Sequence, residues 1–155
     1  MTDTYYLRIM NRKLCLLSLL VFFLIPSFAK ELNTENLKRH ADLQIYYNAF
    51  PSSFIAPKIA NSNQIIQRKD LGIVNVVGLK RSGNYVPLAI HGNVKNIFQQ
   101  KQSLNFNLVQ EGDALYYLAS FNYENEDFLT FSIWIKPHSA TQENQIKFQK
   151  IMYID

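Results

Sequence analysis

The chain has 155 residues, with 16 Lys and Arg against 12 Asp and Glu for a formal net charge of +4, and it holds one cysteine. The basic residues are scattered, with no run longer than Lys38-Arg39-His40 and otherwise only pairs such as Lys80-Arg81, so the concentrated cationic footprint of a nucleic-acid binder is missing. A lone cysteine closes no internal disulfide, which leaves stability to the apolar core.

The first element is Asn11-Arg12-Lys13 followed by an apolar run of 12 residues, Leu14 to Ile25, and then Pro26-Ser27-Phe28-Ala29. A charged head, a short apolar stretch and a small-residue exit are the order of an export signal. The run is too short for a spanning helix, which needs roughly 20 apolar residues, so an uncleaved anchor is the weaker reading. We expect residues 1–29 to form a signal helix cleaved after Ala29, with translation starting at Met10, directly before the charged head. Cys15 lies at the front of the apolar run, not behind it among small residues, so a lipoprotein anchor is rejected. Cleavage leaves 126 cysteine-free residues, and without Asp3, Arg8, Arg12 and Lys13 the formal charge falls from +4 to +2. The expected location is the periplasm, with no membrane span after cleavage.

Residues 30–41 are a polar lead-in, expected to be a mobile linker or a frayed start of the domain. A single domain is expected over 42–155. Leu43, Ile45 and Tyr47 alternate with Gln44 and Tyr46, the period of a strand with one buried face. Pro51 to Ile55 is irregular, and residues 56–61 have room for a short helical turn with Pro57 in its first turn. Ile65 to Arg68 is a candidate short strand, Lys69 to Gly72 a turn, and Ile73 to Leu79 a strand rich in β-branched residues. Ser82-Gly83-Asn84 has hairpin-turn composition. The strand from Tyr85 to Val94 contains Pro87, which donates no ladder hydrogen bond and predicts an edge or a bulge.

Ser103 to Gln110 alternates as one strand with Leu104, Phe106 and Leu108 on one side. Glu111-Gly112-Asp113 turns the chain into Ala114 to Tyr123, with Leu115, Tyr117, Ala119, Phe121 and Tyr123 on one side. Phe128 to Lys136 follows, with Leu129, Phe131, Ile133 and Ile135 inward, and Gln145 to Ile154 closes the chain. Seven or eight mostly antiparallel strands with short turns are expected to pack as two sheets, an all-β, immunoglobulin-like β-sandwich.

The ordered set Tyr47-Asn48-Ala49-Phe50, Ser53-Phe54-Ile55, Pro57, Ile66, Arg68, Gly72-Ile73-Val74-Asn75, Gln102, Leu104, Phe106, Glu111 to Tyr117, Phe148 and Tyr153-Ile154-Asp155 resembles a family of small secreted proteins of Gram-negative bacteria known as a domain of unknown function. It covers nearly all of 42–155. The resemblance implies export and a β-sandwich, and it supplies no activity. Two positions depart from the family pattern: Tyr46 stands where relatives tend to have His, and Pro51 where they often have Asn. Chemistry that rested on that His is not available here in the same form.

Candidate chemistry is sparse. His40, His91 and His138 have no zinc spacing between them, and Ser52 and Ser53 lie in no Gly-x-Ser-x-Gly elbow. Glu111 and Asp113, and separately Glu124, Glu126 and Asp127, have the oxygen ligands for acid–base work or Ca²⁺, but both sets fall where hairpins turn and read as polar turns. No metal, cofactor or catalytic residue is expected. The aromatic residues are more informative. Of each adjacent pair, Tyr46-Tyr47 and Tyr116-Tyr117, one member should be buried and one exposed, and exposed Tyr or Trp134 suits partner contact, although core and cross-strand packing accounts for them as well. Asn48, Phe50, Ser53, Phe54, Arg68 and Tyr117 are the candidate binding residues. Asn48, Ser53 and Arg68 are expected either to pin the Phe50–Ile59 excursion by hydrogen bonds to its backbone or to line a groove. The expected function is a non-enzymatic module that binds another envelope protein. A carrier or sensor of a small apolar or lipid-like ligand, held between the sheets or under that flap, is the alternative, and an enzyme with an unrecognised site the third reading. N-terminal sequencing of the exported protein should begin at Lys30, and a processing-blocked variant should begin at Met10; Met1 in that variant contradicts the assigned start.

Overall fold

The computed structural model describes residues 36–154. The expected leader, the lead-in up to residue 35 and Asp155 lie outside the described residues. Among the described residues, alternation of apolar and polar side chains yields nine strands: β1 (Leu37–His40), β2 (Leu43–Pro51), β3 (Leu71–Lys80), β4 (Leu88–Lys95), β5 (Lys101–Leu104), β6 (Asn107–Glu111), β7 (Ala114–Asn122), β8 (Asp127–Pro137) and β9 (Asn144–Met152). A 3-10 turn (Ser52–Phe54) and one short helix, α1 (Pro57–Ser62), sit between β2 and β3. Every strand pairing is antiparallel. One sheet has the order β1-β2-β3-β7-β6 and the other β5-β4-β8-β9. The result is an all-β, two-sheet sandwich of immunoglobulin-like kind with a strand order of its own. No helix of the described residues is long and apolar enough to cross a membrane.

The core lies between the sheets. Ile45 and Ala49 of β2, Val74 and Val76 of β3, and Ala119 and Phe121 of β7 face Val94 of β4, the expected inward row Leu129, Phe131, Ile133 and Ile135 of β8, and Ile146 and Met152 of β9. All of these are 2% exposed or less. A line of rings crosses the interior. Tyr47 to Phe148 is 4.9 Å, Phe148 to Phe131 is 4.6 Å and Phe131 to Phe121 is 5.1 Å between centroids. Such pairs add about 0.5–1.5 kcal/mol each beyond their burial. The Tyr117 hydroxyl on β7 accepts the Leu88 N–H of β4 at 2.8 Å, a polar tie between the two sheets.

β3 differs from its neighbours because it is buried on both faces. Val74 and Val76 point into the sandwich, while Leu71, Ile73 and Val77 point the other way and are buried as well. The segment 52–68 lies over that outer face, with Ala60 of α1 1% exposed against it. A strand covered twice needs no polar alternation, hence its near-continuous apolar run.

Several local expectations change. Residues 37–40 of the polar lead-in form a paired edge strand, because β2 offers its free edge from Leu43 to Tyr46. Ile65 to Arg68 is coil, and its Arg68 backbone is bonded to a side chain in place of a neighbouring strand. β4 is interior, between β5 and β8, and Pro87 precedes its first residue, so the missing N–H interrupts no ladder. The single strand expected from Ser103 to Gln110 is two strands in different sheets, the chain crossing over at Asn105-Phe106. Leu108 lies opposite Tyr117 on the inward side, but β6 is an edge strand and Leu108 is 53% exposed, whereas outward-facing Val109 is 7% exposed beneath the covering segment.

Gly72 shows how closely the layers fit. A Cβ at this position would stand 2.2 Å from Cζ of Phe121, its cross-strand partner. Gly72→Ala should therefore lower stability by about 1–3 kcal/mol through overpacking, read as a reduced urea midpoint with an unchanged slope.

Candidate functional site

The site is built where β2 leaves the sheet. Phe50-Pro51 ends the strand, and Pro51 leads into the 3-10 turn that carries Ser52, which is fully buried. The Ser52 hydroxyl accepts the Arg68 N–H at 2.9 Å and donates to the Arg68 carbonyl at 3.1 Å. One side chain thus closes a 16-residue excursion and satisfies both backbone groups of Arg68. A second strap joins the same limbs, the Gln67 amide donating to the Ile55 carbonyl at 2.6 Å. Between them α1 starts on Pro57, whose fixed φ suits the first turn. It ends where the Asn63 amide donates to the Ile59 carbonyl at 2.9 Å.

The Arg68 side chain lies outside this clasp. Its guanidinium donates to both carboxylate oxygens of Asp70, at 2.8 and 3.1 Å, and to Oδ1 of Asn122 at 3.0 Å. The hydrogen bond from Arg68 is the main reason the Asp70 carboxyl sits below the usual carboxylate range. Gln102 of β5 completes the corner. Its amide donates to the Asn122 carbonyl at 2.8 Å and accepts the Asn122 N–H at 2.9 Å, tying β5 to β7 across the sandwich edge.

A helix of under two turns laid on a sheet leaves hollows beside it. One, about 200 Å³, lies between the 63–68 limb and Leu71, Ile73 and Ser120. The other, about 310 Å³, opens under the Phe50–Ile59 arm. Phe50, Phe54, Ile55 and Ile59 form the roof of this groove; Asn75, Val109, Tyr116 and Leu118 form the floor, with Glu111 beside them. Phe54 is 69% exposed at the lip. Burial, then the neighbouring Tyr85 and Glu111, pushes the Tyr116 hydroxyl above its usual pKa, so it stays a neutral phenol. The floor carries one anomaly: Oδ1 of Asn75 is buried without a hydrogen-bond partner among the described residues. Leaving such an acceptor unpaired costs about 1–3 kcal/mol.

The candidate residues named from the sequence distribute as follows. Phe50 and Phe54 line the groove. Arg68 takes part in the pinning, through its backbone to Ser52 and its side chain to Asp70. Ser53 is exposed, and the clasp belongs to its neighbour Ser52. Asn48 lies beyond the point where β1 stops pairing; its Oδ1 accepts the Ala49 N–H at 2.8 Å and lies 3.4 Å from Nζ of Lys150. In register it is opposite Asn75. Tyr117 is 8% exposed in the sandwich core. Ser52, Asn75, Gln102 and the neutral Tyr116 are site residues outside the candidate binding set read from the sequence. Tyr116 is legible as the outward member of the Tyr116-Tyr117 pair, and Asn75 as a lone amide inside the run Ile73-Val74-Asn75-Val76-Val77.

The other titratable groups do not converge. Nε2 of His91 is 2.9 Å from Oε1 of Glu143, and its ring stacks on Trp134 at 5.3 Å. The two acidic turns flank β7 at opposite ends, a span of roughly 30 Å for a strand of that length. No group of three or more His, Cys, Asp and Glu among the described residues is placed to hold a metal ion.

The fold and the groove define a class, an antiparallel β-sandwich protein with a clasped excursion over one outer face. Within it, the chain belongs to the family described as domain of unknown function DUF4426, which matches residues 37–155. A crystal structure of a DUF4426 family protein from Pseudomonas aeruginosa PAO1 is similar at 30% identity with a TM-score of 0.72, covering 80% of this chain and 98% of that one. Two structures of FetP from uropathogenic Escherichia coli strain F11 share the fold. A copper-bound variant of FetP has 10% identity and a TM-score of 0.54 over 75% of this chain and 93% of its own. FetP expressed in the periplasm has 12% identity and a TM-score of 0.53 over 76% and 92%. No curated protein matches the chain.

The double hydrogen bond makes a clear difference between adjacent serines. Ser52→Ala should cost about 1–3 kcal/mol because it removes two part-buried hydrogen bonds to the Arg68 backbone. Ser53→Ala should stay within about 0.5 kcal/mol of the parent. Arg68→Ala should cost less than Ser52→Ala, since the exposed ion pair it removes is weak and its backbone keeps the clasp. Urea denaturation of the three variants gives the order.

Proposed function

We propose that this protein is an exported, non-enzymatic binding module of the cell envelope, and that its site is the groove under the Phe50–Ile59 arm. Export is supported by the charged head and short apolar run of residues 11–29. The groove, at about 310 Å³, is at the small end of ligand sites, which run roughly 300–1,000 Å³. Its walls are apolar and aromatic, and its roof is held open by the Ser52 clasp and the Gln67 strap, so little ordering is needed on binding.

The observation that carries this reading is the unsatisfied Oδ1 of Asn75 in the floor. An acceptor kept at a cost in an otherwise apolar run is most simply a group that receives a donor from outside. The occupant is therefore a compact apolar group bearing an N–H or O–H. A small lipid-like molecule or a side chain offered by another envelope protein has that chemistry.

Asn75→Val separates the roles. Removing an unpaired acceptor should raise stability by about 1–3 kcal/mol while abolishing retention of the occupant. Native mass spectrometry of protein purified from its host should show an added mass in the parent and none in the Val variant. An envelope pulldown lost on the same substitution would identify a protein occupant instead. A Val variant that is destabilised and retains whatever the parent retains contradicts the proposal.

A further inference from the structure

The second sheet presents a different outer face. The β4–β5 hairpin ends in Asn96-Ile97-Phe98-Gln99-Gln100, with Ile97 62% and Phe98 77% exposed, side by side. The loop is firmly built. Oδ1 of Asn96 accepts the N–H groups of Phe98 and Gln100, both at 3.0 Å. The Asn96 amide donates to Oε1 of Gln100 at 2.6 Å, and the main chains of Asn96 and Gln100 are bonded at 3.2 Å. Two large apolar side chains are thereby held out in solvent on a braced protrusion.

Directly below the tip, Lys95 and Lys101 stand opposite each other on adjacent strands. Like charges in that position repel. With Lys147 they line a hollow of about 410 Å³ floored by Asn93, Thr130 and Ser132, and its lining contains no acidic residue. None of the three lysines has an ion-pair partner among the described residues. An apolar point flanked by cations is the arrangement that enters a lipid interface, the apolar groups reaching the acyl boundary and the lysines meeting phosphate.

We propose that the Ile97-Phe98 tip and the lysines behind it dock this protein on an anionic phospholipid bilayer. The charge pattern favours this partner over a protein pocket. A pocket receiving the tip needs carboxylates fixed at the positions of Lys95 and Lys101, whereas a bilayer supplies negative charge wherever the lysines fall. The shape agrees, since the two apolar side chains stand out at the end of a braced hairpin. The inference uses no residue of the groove and stands apart from the function proposed for it.

Co-sedimentation with vesicles tests it, using protein purified from its host and variants made in the same background, so that any N-terminal contribution is common to all. The parent should bind phosphatidylcholine vesicles containing phosphatidylglycerol and not phosphatidylcholine alone, and added salt should weaken binding. Phe98→Ser should lower partitioning roughly tenfold or more, and Lys95→Gln and Lys101→Gln about fivefold each. Phe98 and Lys101 are exposed and Lys95 is half-buried on the outer face, and an unchanged melting temperature confirms folding. Equal binding by parent and Phe98→Ser, or none by the parent, overturns the proposal. So does complete release by inorganic phosphate at constant ionic strength, which would make the hollow an anion subsite. A benzophenone side chain at position 98 should crosslink to lipid in host envelopes; crosslinking to a protein alone overturns the proposal.

Discussion

The structure depends on one constraint, that β3 is apolar on both sides. Val74 and Val76 build the sandwich core, and Leu71, Ile73 and Val77 on the reverse side must be kept from water as well. Two sheets provide cover for only one of these faces. The chain meets the second demand with residues 52–68, inserted between β2 and β3, directly before the strand that needs the cover. Because β2 and β3 are neighbours, the excursion starts and finishes on the same side of one sheet and closes a loop of modest entropy. Ser52 then acts as a substitute strand residue, pairing with both backbone groups of Arg68 where no partner strand exists.

The groove is a consequence of how that cover is made. α1 is six residues long and meets the sheet through Ala60, a small side chain. A short, thin element on a wide sheet fills only the strip beneath it, and space remains on each side. Natural interiors close such space unless something occupies it. The amide of Asn75 in one hollow runs against the rule that buried polar groups are paired, and it stands beside the aromatic roof of Phe50 and Phe54. Close packing and polar satisfaction are therefore both relaxed at the same place.

The two outer faces of the sandwich are chemically opposite. The face of β3 and β7 is apolar and covered. The face of β4, β8 and β9 carries Lys95, Asn93, Thr130, Ser132 and Lys147 and is bare, with the braced Ile97-Phe98 tip at its end. Three lysines and the exposed Ile97 and Phe98 side chains thus stand on one side of a chain whose overall charge is small. Arg68, by contrast, is held in local pairs with Asp70 and Asn122 and adds no free cation to the groove side.

Much of the fold was legible from periodicity. Leu129 to Ile135 alternates without interruption because it belongs to a strand with one wet face, and period two records that directly. The same signal fails at 103–110, where the alternation continues while the chain passes from one sheet to the other, and Leu104 and Leu108 meet different surroundings. Composition also could not distinguish Ser52 from Ser53, since adjacent residues differ only in the direction they face. By itself the sequence determined that this is an antiparallel, disulfide-free β-sandwich with an irregular excursion after Phe50, because burial of one face leaves a mark at every second residue. Which serine closes the excursion, which amide is left unpaired and which lysines meet across a hairpin were decided only by tertiary structure, because each depends on a partner far away in the chain or on the lack of one.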